Sequence, residues 1–105
     1  MKNILPAELK AELAAGRKLR LLDVRENWEF ETARIDGSTL IPMGEIAARV
    51  SELDPKSEIV VICHHGGRSM QVAVFLERQG FSSVHNLAGG VDAWARSVDS
   101  TMPTY

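Results

Sequence analysis

Apolar positions along this chain fall into two kinds of run that take turns. Ile59-Val60-Val61-Ile62-Cys63 is unbroken, and four of its five residues are β-branched. A strand buried on both faces of a parallel sheet needs no polar alternation, so this run predicts a central strand. Beyond Ser69 the spacing changes: Val72, Phe75 and Leu76 fall at i, i+3 and i+4, predicting a helix over Met70–Gln79 with Gly80 as its C′ stop. Leu19–Val24 and Ser83–Leu87 read as further strands, Thr39–Ile41 as a brief one halted by Pro42, and Ile4-Leu5 as a short edge strand. Between them, helical spacing marks Pro6 to Gly16 through Leu9 and Leu13. It also marks Glu26–Ala33, carrying Trp28 and Phe30, then Glu45–Leu53 through Ile46, Val50 and Leu53, and a last helix after Gly89-Gly90 with Val91 and Trp94. Trp28 is expected in the core and His85, inside a strand, in a structural role. Residues 98–105 are polar and expected to be loose.

Strands alternating with helices over residues 1–105 predict a single α/β domain whose sheet is parallel at its centre and covered by helices on both faces. In such sheets ligands bind beyond the carboxyl ends of the strands, where Cys63 stands.

Composition narrows the partners. With 12 basic against 14 acidic residues and a net charge of −2, the chain has no basic face for nucleic acid. No apolar run approaches the roughly 20 residues of a membrane span, and Met1–Lys10 lacks the apolar block of a signal peptide, so a cytoplasmic protein without membrane contact is expected. A single cysteine excludes an internal disulfide and an intramolecular dithiol cycle.

That cysteine sits where chemistry is favoured. The loop His64-His65-Gly66-Gly67 precedes a helix, so it collects unpaired backbone N–H groups and the positive end of the helix dipole, and the glycines let those groups turn inward. Arg68 adds a permanent cation at the rim. These are the conditions that favour a thiolate, making Cys63 a candidate nucleophile, although a buried structural cysteine is the ordinary alternative. His64 and His65 line the pocket mouth, where partial protonation attracts an anion. Adjacent histidines rarely point at one ion, and no zinc-like spacing accompanies them, so no metal is expected. Ser69 can hydrogen-bond into the loop. Asp23 and Arg25, ending the neighbouring strand, either orient the loop from behind or simply cap a helix.

Cys63, Gly66, Arg68 and Ser69 resemble the active-site loop of the rhodanese family. Leu22-Asp23-Val24-Arg25, Trp28-Glu29-Phe30, Gly37 with Ile41-Pro42, and Leu87-Ala88-Gly89-Gly90 with Trp94 extend the resemblance along nearly the whole chain. It implies a single rhodanese domain of about five parallel strands. It also implies a thiosulfate sulfurtransferase: Cys63 takes a sulfane sulfur from thiosulfate or a similar donor, holds it as a persulfide and passes it to cyanide, a small thiol or a thiol protein, without a cofactor. Substrate contacts would come from His64, His65, Gly66, Gly67, Arg68 and Ser69. Where the family often has a His and an Asn, this chain has Arg34 and Leu40. Related phosphatases place one more residue between Cys and Arg, so the four found here argue against phosphate hydrolysis. Rhodanese-like domains that serve only as docking units often lack the cysteine.

Overall fold

A computed structural model describes all residues, 1–105. The apolar run forms β4 (Glu58–Ile62), and it is central because both its faces are buried: Ile59 and Val61 face one core layer, Val60 and Ile62 the other. The other strands are β1 (Lys2–Ile4), β2 (Arg20–Asp23), β3 (Thr39–Leu40) and β5 (Ser83–Leu87). They form one five-stranded sheet in the order β1-β5-β4-β2-β3, with every pairing parallel.

Helices α1 (Pro6–Ala14) and α5 (Gly90–Ser97) cover one face through Leu9, Val91 and Trp94. The other face packs against α3 (Ile46–Arg49) and α4 (Gly67–Arg78) through Ile46, Val72, Ala73 and Leu76. The fifth helix, α2 (Asn27–Thr32), follows β2. The five-stranded α/β domain with helices on both faces is thus the fold expected from the sequence. No helix is long and apolar enough to cross a membrane.

Helix α4 ends as its glycine requires. Gly80 has φ +95, its N–H bonds Glu77 O at 3.0 Å, and Phe81 N–H reaches back to Leu76 O at 3.1 Å, the paired bonds of a Schellman motif. At its other end the helix starts three residues before the predicted Met70, because Gly66 at φ +104 serves as N-cap and brings Arg68 and Ser69 into the first turn.

Two local expectations need correction. The segment 45–53 is one α-helical turn between 3-10 turns at Met43–Glu45 and Val50–Glu52, although Ile46 and Leu53 still reach the core. Trp28 is 59% exposed. Successive helix positions are about 100° apart, and α2 turns Glu29 inward, which sends Trp28 out. The tail makes defined contacts: Val98 and Met102 pack against one core layer, and the Tyr105 hydroxyl meets Arg25 beyond the carboxyl end of β2. Polarity alone could not show this, since the anchors are two apolar side chains and one hydroxyl.

The strand order places a crevice. From β2 the chain leaves through α2 toward β3, whereas from β4 it leaves through α4 toward β5, in the opposite direction across the sheet. Neighbouring strands whose connections diverge open a cleft at their carboxyl ends. Asp23 ends β2 there, and Cys63 follows β4.

Candidate active site

Cys63 lies at the floor of this crevice and is 1% exposed. Its sulfur accepts the Gly66 backbone N–H at 3.0 Å and lies 3.2 Å from Ser69 Oγ. The first contact needs the left-handed turn at Gly66, the second needs Ser69 in the first turn of α4, so both follow from the helix starting where it does. Behind Ser69 stands Asn86 of β5, whose Oδ1 accepts the Ser69 hydroxyl, and Asn86 Nδ2 donates to Asn3 Oδ1 at 3.1 Å.

The loop is also gripped from above by α5. Val91 N–H bonds Cys63 O at 2.8 Å and Asp92 N–H bonds His64 O at 3.0 Å, so this helix uses its free N-terminal donors to hold the loop backbone. Gly90, at φ +62, sits so close that a Cβ would run into the Cys63 and His64 carbonyl oxygens. Gly89 likewise has no room, because a Cβ there would lie 2.5 Å from Ala93 Cβ.

Arg68 is placed differently from a free cation at the rim. Its guanidinium meets Glu29 fork to fork, Nη1–Oε1 at 2.7 Å and Nη2–Oε2 at 2.9 Å, joining α4 to α2 across the crevice. The Arg68 side chain remains 37% exposed and lies within electrostatic reach of Cys63, while that of Glu29 is 5% exposed. The arginine's hydrogen bonds are the largest influence on the Glu29 carboxyl, which they hold down at about 2 against the opposing effect of burial. Beyond its place in the Trp28-Glu29-Phe30 resemblance the sequence gives Glu29 no role of its own, since a glutamate in the first turn of a helix reads as an ordinary cap, and it does accept the Glu26 N–H at 3.0 Å as well.

Asp23 and Arg25 form the support behind this pair. Both are fully buried, with Arg25 Nε and Nη2 on the Asp23 carboxylate at 2.9 and 2.8 Å. The remaining Arg25 donors bond Glu29 O, Ala33 O and the Tyr105 hydroxyl, which clamps both ends of α2 to the end of β2. Tyr105 in turn donates to Glu29 Oε2 at 2.9 Å. Burial, and secondarily the Glu29 carboxylate, push its hydroxyl up to about 12, against the pull of Arg25.

At the mouth, the His64 ring packs 4.2 Å from the Tyr105 ring and 4.0 Å from that of His65, while Trp28 stands edge-on to Tyr105 at 5.5 Å. Burial, then the neighbouring His65, lower the His64 imidazole below its ordinary value, which works against the partial protonation expected of it. His65 is exposed. Together with Asp92 these histidines bring ligand atoms within 4.8 Å of one another, but Arg96 Nε already donates to Asp92 Oδ2 at 3.0 Å and offsets the only negative charge in the group. His85 lies away from the site, bonded to Glu58 at 2.8 Å.

Of the residues singled out in the sequence, Cys63 through Ser69 form one loop and Asp23 with Arg25 support it. The contacts of Asn86, Glu29 and Tyr105 are additions that only the fold reveals. A family model for the Rhodanese-like domain matches residues 5–97. The chain belongs to the rhodanese-like domain family. The rhodanese-like chain is 42% identical over 94 residues to the putative sulfurtransferase YtwF of Bacillus subtilis (strain 168), covering 90% of each. It is also 42% identical over 90 residues to the rhodanese-like/PpiC domain-containing protein 12, chloroplastic, of Arabidopsis thaliana, but spans only 30% of that protein's length. A rhodanese-like domain protein from Staphylococcus aureus, 30% identical, superposes with a TM-score of 0.86 over 100% of this chain and 99% of that one.

Proposed function

We propose that this rhodanese-like domain is a sulfurtransferase working through a Cys63 persulfide. The observation that carries the reading is the seat of the sulfur: Cys63 Sγ rests on the Gly66 N–H, next to Ser69 Oγ, in a loop with only four residues between Cys63 and Arg68. A seat this tight suits one added sulfur better than a phosphoryl group. The Cys63 thiolate attacks the outer sulfur of thiosulfate, a sulfur–sulfur bond forms to Sγ, and the bond to the sulfonate breaks with its electron pair leaving on sulfite. Cyanide or a thiolate acceptor then attacks the terminal sulfur of the persulfide and restores the Cys63 thiolate. No proton need move when nucleophile and leaving groups are already anions, which agrees with a site lacking an acid–base triad.

The charge at the site comes from two sources. The Gly66 N–H and the first turn of α4 stabilise negative charge on the sulfur, as donors do in an oxyanion hole. Arg68, tied to Glu29, contributes a partly offset positive field and holds the two sides of the crevice at fixed distance. His64, His65 and Gly67 would contact the donor at the mouth. A thiol protein is a further acceptor class, in keeping with a relative named as a putative sulfur carrier protein.

Intact-mass measurement tests this directly. Thiosulfate should add one sulfur, about 32 Da, and cyanide should remove it. Absence of the adduct, or sulfur transfer by Cys63→Ser, would overturn the mechanism.

A further inference from the structure

The hydrogen bonds behind Cys63 do not balance for a thiolate. Ser69 has one hydroxyl proton and two neighbours, Cys63 Sγ at 3.2 Å and Asn86 Oδ1, and all three residues are buried. Asn86 Oδ1 is an acceptor only, so the proton lies between Ser69 and Asn86. The Sγ contact can then be made only if the cysteine donates its own S–H to Ser69 Oγ. This arrangement fits the thiol. A thiolate has no proton to give, and it would face the Ser69 oxygen acceptor against acceptor.

Turning the hydroxyl toward sulfur repairs that contact but leaves Asn86 Oδ1 aimed at a lone pair in a buried place, which is costly. A half-turn of the Asn86 amide removes the conflict. Nδ2 then donates to Ser69 Oγ, Ser69 donates to Sγ, and Asn86 Oδ1 faces Asn3. Asn3 lies at the exposed edge strand β1 and can turn its own amide to donate. Every polar atom is satisfied in both arrangements.

We propose that Asn86 is a positioning residue for Cys63: with Asn3 it forms a reversible amide pair that sets the direction of the Ser69 hydroxyl, toward Asn86 when Cys63 is a thiol and toward the sulfur when it is a thiolate. The inference rests on reading Cys63 as the nucleophile, but its test reads alkylation and not sulfur transfer, so the two can fail separately. The other charged groups around Cys63 are Arg68 of α4, Glu29 of α2, the Asp23–Arg25 pair ending β2, the flanking His64 and His65, and Asp92 of α5. All are shared by the variants below.

The probe is iodoacetamide, whose reaction with the only cysteine is followed across pH in the full chain. Asn86→Asp supplies acceptors alone and keeps the Ser69 proton on its side, so neutral-pH alkylation should slow by about tenfold, one unit in the midpoint of the profile. Asn86→Leu competes for nothing and should leave the profile at or below the wild-type midpoint. Through-space charge is separated by repeating Asn86→Asp in a Ser69→Ala background, where the shift should shrink to less than half. Asn3→Asp, at the exposed edge and safe for folding, should slow alkylation in the same sense by a smaller factor, again only when Ser69 is present. Equal shifts in Asn86→Asp and Asn86→Leu, or an aspartate effect unchanged by loss of Ser69, would overturn the proposal. An Asn3→Asp profile identical to wild type would overturn the part assigned to Asn3.

Discussion

The Arg68 guanidinium and the Glu29 carboxylate lie in bidentate contact at 2.7 and 2.9 Å, closing the crevice between α4 and α2 above Cys63. The pair changes what loss of Arg68 means: the variant removes a cation near the donor and also strands a carboxylate that is 5% exposed.

Arg68→Ala should therefore lower thiosulfate turnover by about tenfold to a thousandfold, the range of a lost charge-assisted contact of about 1.5–4 kcal/mol. It should also destabilise the fold by about 1–3 kcal/mol, less than a fully buried pair because the arginine is half in solvent. Arg68→Lys returns the charge but not the planar fork, and should rescue only part of both. Adding Glu29→Gln to Arg68→Ala should recover stability without recovering turnover. Steady-state kinetics beside urea midpoints separate the two effects; unchanged kinetics in Arg68→Ala would assign the anion cradle to the backbone alone.

The same pair fixes a pH window. The Glu29 carboxyl is ordinarily near 4.5 and is held at about 2 in the folded protein. A group lowered on folding stabilises the fold above its unfolded value, and that contribution disappears as pH falls through the folded one. Wild type should therefore exceed Glu29→Gln in stability by a constant amount above pH 4.5, and the gap should close on acidification toward pH 2. Urea unfolding at stepped pH measures the gap. A gap that is flat across this range would show that the ion pair is not formed in solution.

Two glycines separate backbone strain from collision. Gly37 and Gly90 both have positive φ, +86 and +62, but a Cβ on Gly37 meets nothing within 4 Å whereas one on Gly90 strikes the carbonyls of Cys63 and His64. Gly37→Ala should cost about 1–2 kcal/mol, the left-handed penalty alone. Gly90→Ala adds displacement of the loop, at about 2–4 kcal/mol in total, and should slow persulfide formation as well. Equal losses of activity in the two variants would remove α5 from any part in holding the loop.

How far the sequence could be read depended on whether a residue's role was local. The strand ending at Cys63, the turn at Gly66 and the stop at Gly80 each follow from a few neighbouring residues, and the helix start moved by only three positions because the cap is a left-handed glycine. The contacts of Asn86 and Glu29 were invisible for the opposite reason. Their partners lie 17 and 39 positions away, and nothing in the residues beside them marks the contact. The Gly89-Gly90 pair was legible as the lead into the last helix, but the need for glycine at Gly90 comes from carbonyls contributed by another loop. Trp28 misled because an aromatic side chain is usually buried, and in a helix of six residues a single inward carboxylate decides which face is out.

Tyr105 gives the last test, and a clean one, because it is the only tyrosine in the chain. Its hydroxyl donates to Glu29 Oε2 and accepts from Arg25 Nη1 at 2.6 Å, and its ring packs on His64. Burial is the largest influence and raises it to about 12; Arg25 opposes this, and the Glu29 carboxylate adds to it. Near-ultraviolet titration of the folded protein should thus show tyrosinate forming near pH 12, and denaturant should bring it back to the ordinary 10.0. Glu29→Gln should lower the folded value, since one cause of the rise is gone. A group raised on folding stabilises the fold fully below its unfolded value and ceases to do so as pH climbs through the folded one, so the stability lost on alkalinisation falls between pH 10 and 12. A folded midpoint at the ordinary value would mean that the tail is free in solution, and that the wall of the crevice beside His64 is made without it.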